Sequence, residues 1–213
     1  MSVASRRILI VVLGGLLALA AAALPGCSEP ESEVEHIRDL ERAGNADALA
    51  KRAIEAEPDA ARRAVHSLGR LGPKAEPALR QTMEKGSPIV RAEAALVYPR
   101  VAKREQAQEP ISALAHQDPE PRVRAAAVTA LGHMRAIDSM DAILEALNDP
   151  NLLVRRRAAD AVARIMGRHY ELYLDGPEEK RRQAIDTLRQ DWNRDKDVIR
   201  RYFLRKAQRP EQP

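Results

Sequence analysis

A Pro-containing pair of residues recurs at a nearly constant interval and limits the folds that this chain can adopt. Glu57-Pro58, Ser87-Pro88, Asp118-Pro119 and Asp149-Pro150 follow one another at intervals of 30, 31 and 31 residues. A fixed period of this length is typical of stacked supersecondary units that share one continuous core. Each pair also suits a helix start, because an acid or Ser can cap the first turn and Pro lacks the N–H that would otherwise be unpaired.

Two helices are predicted in each period. The first helices are Ala-rich and are predicted at residues 62–71, 89–98, 122–134 and 154–166. The second helices are predicted at residues 75–83, 106–115, 140–147 and 178–188, and an imperfect pair at 34–42 and 45–56 precedes all of these. Their apolar faces are expected to be buried through Leu79, Met83, Ile111, Leu114, Ile143, Leu144, Leu147, Ile185 and Leu188.

The composition agrees with a stack of helices. Hydrophobic residues make up 45% of the chain but aromatic residues only 3%, which suits close helix packing and disfavours a β-sandwich. We therefore predict an all-α solenoid of about five antiparallel helix pairs over residues 34–190, with a C-terminal capping helix and tail over 191–213. Late aromatic residues fit such a cap, with an aromatic contact patch as the alternative: Tyr170, Tyr173, Trp192, Tyr202 and Phe203.

Two of the periods resemble a known repeat family. Residues 118–132, and Asp149-Pro150 with Val154-Arg155 and Ala158-Ala159, are similar to HEAT repeats in their short bacterial, PBS-lyase-like form. The resemblance covers residues 57–167 well and the flanking segments loosely. It implies an α-solenoid in which an acid and an Arg of stacked repeats form a hydrogen-bonded ladder.

Three residue pairs match the ladder that this resemblance implies. An Arg lies six residues after the acid in Glu57/Arg63, Asp118/Arg124 and Asp149/Arg155, and we predict structural roles for these six residues. In the second repeat Arg91 lies only four residues after Ser87, and Pro99 shortens the helix. The ladder is therefore expected to be broken there.

The first 27 residues have the pattern of an export signal. Arg6-Arg7 precede an uncharged run of 16 residues, and Leu24-Pro25-Gly26-Cys27 follows. The run is shorter than the ~20 residues of a spanning helix and suits a signal-peptide core. The Cys-containing segment resembles the lipobox of bacterial lipoproteins, although Pro25 departs from the usual Ala, Ser or Thr.

This resemblance implies cleavage before Cys27 and a lipid on its thiol. We predict a signal peptide over residues 1–26, an acylated Cys27 with a solvated tether over 27–33, and anchoring on the periplasmic side of a membrane, extended to the outer membrane in a host with two membranes. The alternatives are an uncleaved anchor, or ordinary cleavage after residues 21–23 that leaves Cys27 as a free thiol.

The sequence contains no recognisable catalytic or metal-binding constellation. A single Cys excludes an intrachain disulfide and a Cys-based metal cluster, and the five His residues are dispersed. We predict no catalytic residue, no metal and no cofactor. The net charge of +4 falls to +2 without Arg6 and Arg7, so nucleic acid is not expected as a partner.

A non-catalytic scaffold that binds a protein partner is therefore the leading interpretation. We expect a monomer whose partner binds the charged side of the second helices, at Glu76, Arg80, Glu105, Glu109, Asp138, Asp141, Glu145, Arg182 and Asp186. Two alternatives stay open. One is an enzyme or lyase subunit, since some HEAT-like chains are chromophore lyases or DNA glycosylases, and the other is a purely structural envelope spacer or assembly factor.

Overall fold

The computed structural model describes residues 30–207, and the predicted signal peptide and Cys27 lie outside this range. The described part contains ten α-helices and no strand. The helices are α1 (Pro30–Arg42), α2 (Ala46–Glu55), α3 (Pro58–Leu71), α4 (Glu76–Lys85), α5 (Pro88–Val97), α6 (Arg104–Gln117), α7 (Pro121–Met134), α8 (Met140–Ala146), α9 (Leu152–Met166) and α10 (Glu178–Ala207). Short 3-10 turns lie at Gly72–Ala75, Tyr98–Arg100 and Ile137–Ser139.

The helices form two layers. The first helices α1, α3, α5, α7 and α9 pack on one another in chain order, and the second helices cover one side of that layer. Each first helix also packs closely against the second helix of the preceding pair, as α7 does against α6. Leu49, Leu68, Leu79, Leu131 and Leu144 are fully buried between the layers. The predicted all-α, HEAT-like solenoid is confirmed.

The closest crossing in the first layer depends on Gly132. A Cβ atom at this position would lie 2.8 Å from the Cβ of Ala161 and 2.9 Å from its Cα. The residue that ends α7 is Arg135, which adopts the left-handed conformation with φ of 50°. Gly132 is therefore required by the contact between α7 and α9, and it does not form the end of the helix.

The described chain is helical from Pro30, so residues 30–33, predicted as part of a solvated tether over 27–33, belong to α1. Pro at the first helical position has no N–H to leave unpaired. Glu33, one turn later, forms an ion pair with Arg52 of α2, and Ile37 is buried. These contacts tie the start of α1 to the solenoid.

The C-terminal part differs from the prediction in continuity and direction. The helix predicted at 178–188 and the cap predicted after it form one helix, α10, which buries Ile185, Leu188 and Trp192. Arg189 lies beside the C-terminal end of α8, and Arg200 donates to Asp138 just before its start. The helix α10 is therefore antiparallel to α8, because residues 167–177 first lead the chain back along α9.

Within residues 30–207, none of the helices combines the length and the apolar run that are needed to cross a bilayer.

Candidate interaction surface

A ladder of Arg–Asp pairs joins successive first helices. The guanidinium of Arg91 donates to both carboxylate oxygens of Asp118, each at 2.8 Å, and Arg124 makes the same two-fold contact with Asp149 at 2.7 and 2.9 Å. Arg124 also donates to the carbonyl of Asp118 at 2.9 Å. These paired charges are almost fully buried, with the side chains of Asp118 and Asp149 only 4% and 8% exposed.

The ladder Arg is defined by its place in the helix. Arg91, Arg124 and Arg155 are each the fourth residue of their helix, because α5 starts directly at Pro88 whereas α7 and α9 start two residues after the recurring Pro. The break expected at Arg91 is therefore wrong. The interval from the acid to the Arg includes the loop before the helix, and this loop is two residues shorter before α5 than before α7 and α9. The interval therefore does not identify the ladder Arg.

The two ends of the ladder depart from the expected pairing. Arg63 is the sixth residue of α3, and the fourth is Ala61. Within residues 30–207 the side chains of Glu57 and Arg63 form no hydrogen bond or ion pair. Arg155 donates to the carbonyls of Asp149, Pro150 and Leu174 at 2.6–3.0 Å, without an acid. Main-chain oxygens replace the carboxylate there because the following segment is the 167–177 connection.

Opposing effects act on the pKa of Asp118. Burial raises this pKa, but the hydrogen bonds from Arg91 and from the Glu120 N–H stabilise the carboxylate, and the net pKa lies below its ordinary value. The ladder carboxylate is therefore ionised at neutral pH. Its negative charge is neutralised by the ion pair with Arg91 and is therefore not available to a partner.

A second polar cluster occupies the two N-terminal residues of the predicted binding face. Tyr98 is fully buried, donates its hydroxyl hydrogen bond to Glu76 and accepts one from Arg80 at 2.8 Å. Arg80 also pairs with Glu76 at 3.0 Å. Burial, together with the Glu76 carboxylate, raises the pKa of Tyr98 to about 12. Glu76 and Arg80 thus have a demonstrable internal role.

The central residues of the predicted face share one groove. The acidic groove lies between α6 and α8, has a volume of about 400 Å³, and is lined by Glu105, Gln108, Glu109, Ser112, Asp138, Ser139, Asp141 and Ala142. Glu105, Glu109 and Asp141 are exposed and form no hydrogen bond or ion pair with other described residues. The structure thus brings together four of the acids that the sequence assigned to this face.

The helix α10 supplies a cation, Arg200, that the sequence did not predict for this face. Arg200 donates to Asp138 at 2.6 Å, and Glu145 pairs with His116 at 3.0 Å. Arg182 and Asp186 lie in the first part of α10, away from Asp138, and Arg182 pairs with Glu178. Because α10 is antiparallel to α8, Arg200 from its last part lies beside Asp138. A helix parallel to α8 would have placed its first turn, with Arg182, at that position.

A second groove opens between α4 and α6. These two helices make little contact with each other, unlike α2 with α4 or α6 with α8. The α4–α6 groove has a volume of about 610 Å³ and is lined by Arg80, Met83, Glu84, Arg91, Glu109, Pro110, Ala113, Leu114, Gln117, Asp118 and Pro119. Leu114, predicted as a core residue, is only half-buried and contributes to this apolar floor.

Metal binding has no structural support in the described part of the chain. No group of three His, Cys, Asp or Glu side chains there is arranged to hold an ion. His66 lies 3.7 Å from Glu93, which also pairs with Arg62 at 3.2 Å, and His116 lies 3.0 Å from Glu145.

The architecture defines a class of protein, an α-solenoid of stacked helix pairs with an Arg–Asp ladder. The family model described as HEAT repeats matches residues 107–201, which include α7–α9 and most of α6 and α10. Over that segment the chain is therefore similar to HEAT-repeat proteins. No curated protein matches the chain significantly.

Proposed function

We propose that this protein is a lipid-anchored, non-catalytic scaffold of the cell envelope that binds a protein partner through its acidic groove. HEAT repeats commonly mediate protein–protein interaction, and an extended helical face suits a segment of another protein. The observation that carries the proposal is the cluster formed by Glu105, Glu109 and Asp141, three exposed carboxylates without an internal cation on the wall of one groove.

The charge of the acidic groove specifies the partner. A segment that carries Lys or Arg would neutralise carboxylates that already lie close together, and such complementarity acts mainly on the association rate and on specificity. Arg200 of the chain itself already occupies the Asp138 edge of the groove. The open remainder, around Glu105, Glu109 and Asp141, is the part available to the partner.

The test removes three negative charges without changing side-chain size. The variant E105Q/E109Q/D141N should lose most of the partner that wild type captures by crosslinking from membranes. The control E35Q/E55Q/E171Q removes the same charge from exposed acids outside the groove and should retain the partner. Equal capture by both variants would exclude the groove, and the absence of any specific partner would favour a structural spacer.

Lipid anchoring is a separate part of the proposal. It is supported by the basic residues, the apolar run and the lipobox-like segment that ends at Cys27. One or more acyl chains on Cys27 would contribute ~0.8 kcal/mol per buried CH₂ to membrane binding. Cys27→Ala should leave an uncleaved precursor or release the protein from the membrane fraction. A wild-type protein without an acyl mass in mass spectrometry would contradict the anchor.

A further inference from the structure

Exposed large hydrophobic side chains are concentrated in the last part of α10. Within residues 30–207 six large hydrophobic side chains are exposed, and Val198, Tyr202 and Leu204 of α10 account for three of them. Val198 and Tyr202 are 60% and 59% exposed. Such a concentration on one short stretch is typical of an interaction surface, whereas isolated exposed hydrophobic residues need no explanation.

Two cations complete this surface. Residues 198, 201, 202 and 205 are neighbours on a helix because they are separated by three or four positions. Arg201 and Arg205 are exposed and form no ion pair with other described residues. We define the α10 flank as Val198, Arg201, Tyr202 and Arg205.

The flank is held in place from the opposite side of the helix. Ile199 and Phe203 pack against the core, and the Arg135 guanidinium lies over the Phe203 ring at 4.9 Å. The Arg200–Asp138 bond fixes the same stretch to the turn before α8. The exposed flank is therefore a preorganised surface, which lowers the entropic cost of binding.

The α4–α6 groove has the complementary chemistry. Its floor contains Met83 and Leu114, and its rim carries Glu84 and Glu109, which are exposed and have no ion pair within the described chain. The lining also contains Arg80 and Arg91, but these are paired with Glu76 and Asp118. The unpaired charges of the groove are therefore carboxylates, which match a flank with two apolar and two cationic side chains. Within residues 30–207 both surfaces are left uncovered.

We propose that the α10 flank of one copy docks into the α4–α6 groove of a second copy. The interface is heterologous, since it joins two different surfaces, and the resulting dimer keeps one free groove on one copy and one free flank on the other. The protein would therefore assemble head to tail at the membrane, whereas the sequence had suggested a monomer. Glu109 lines both this groove and the acidic groove, whereas Glu84 lies only in the α4–α6 groove and therefore distinguishes this contact from the foreign partner.

Site-specific crosslinking tests this contact in the full chain. Two differently tagged copies are co-expressed, one with Ala113→Cys on the groove and the other with Tyr202→Cys on the flank, and membranes are oxidised. A mixed disulfide dimer is expected. The control replaces Tyr202→Cys by Gln190→Cys, an exposed position about 18 Å away along the same helix. A pairing of wild type with the Tyr202→Cys copy measures any contribution from Cys27.

Charge reversal then tests the orientation. Glu84→Arg in the groove copy should lower the dimer yield by about tenfold, because like charges then face each other. Arg201→Glu with Arg205→Glu in the flank copy should restore it. The substituted residues Glu84, Ala113, Arg201, Tyr202 and Arg205 are all exposed. Circular dichroism verifies that the variants are folded.

Several outcomes would overturn the proposal. A yield equal to that of the Gln190→Cys control would show that the contact is nonspecific, and a failure of the reversed pair to restore the dimer would show that these charges do not meet. A third outcome combines two results: crosslinking at the control level, and binding of wild type to vesicles of anionic phospholipid that is lost when Arg201 and Arg205 are replaced. This outcome would assign the flank to a lipid surface. None of these results depends on the foreign partner, so failure here leaves the proposed function to its own test.

Discussion

At the scale of single residues, the position within a helix decides which Arg joins the ladder. The fourth residue of α5 and of α7 reaches the Asp of the following repeat, while Arg63, two positions later in α3, does not. A shift of two residues rotates a side chain by more than half a turn of a helix. The same residue type therefore performs different tasks at positions that look equivalent when counted from the acid–Pro pair.

This distinction predicts unequal effects of Arg substitutions. Arg124→Ala should lower the free energy of unfolding by about 3 kcal/mol or more, because it leaves Asp149 buried without its cation. Arg122→Ala, an exposed position in the same helix, and Arg63→Ala should each change it by less than about 0.5 kcal/mol. Chemical denaturation at pH 7 measures the three values. A loss for Arg63→Ala as large as that for Arg124→Ala would contradict the fourth-residue rule.

At the scale of elements, the distance between neighbouring helices depends on small residues. The contact between Gly132 of α7 and Ala161 of α9 leaves no room for a Cβ atom. At Gly69 of α3 a Cβ atom would meet only side-chain atoms of Val97, with Cγ1 at 2.6 Å, and no backbone atom of another helix within 4 Å. Backbone contact and side-chain contact therefore impose different constraints on two glycines that both lie inside helices.

The sign of the stability change separates these cases. In an unconstrained helix, Gly→Ala stabilises by roughly 0.5–1 kcal/mol. Gly132→Ala should instead destabilise by about 1–3 kcal/mol, since the α7–α9 crossing must widen. The change in stability caused by Gly69→Ala should lie between these two values. Thermal unfolding followed by circular dichroism gives the order, and a stabilising Gly132→Ala would mean that α7 and α9 lie further apart than described.

At the scale of the whole molecule, the long helix α10 closes the apolar end of the solenoid. Its first part buries Ile185, Leu188 and Trp192, and its last part presents the flank. A terminal repeat lacks the neighbour that covers every internal repeat, so a cap is needed for solubility. The two halves of α10 therefore serve different purposes.

Two truncations separate these purposes. A chain that ends at Met166 should lose cooperative unfolding or aggregate, because the core between α8 and α9 becomes exposed. A chain that ends at Asn193 keeps the three buried residues and should unfold cooperatively with a modest loss of stability. Thermal denaturation and light scattering compare the two. Equal behaviour would show that the buried part of α10 does not act as a cap.

The amino-acid sequence by itself determined the repeat, the class of fold and the side of each second helix that carries charge. These properties depend on local periodicity, which is written in neighbouring residues: Met140, Ile143 and Leu144 are buried in α8 while Asp141 and Glu145 are exposed. The clustering of Glu105, Glu109, Asp138 and Asp141 in one groove followed from that periodicity and the stacking of adjacent repeats.

Only the tertiary structure decided the direction of α10, the pairing of Arg91 with Asp118 and the opening between α4 and α6. Each depends on groups far apart in the chain, such as Arg200 and Asp138, or on the length of a connection, such as residues 167–177. Periodicity defines which face of a helix is apolar, but it contains no information about the path by which a loop returns to the core. The surfaces proposed to bind a partner and a second copy therefore depend both on the periodicity of the sequence and on the tertiary arrangement of the helices.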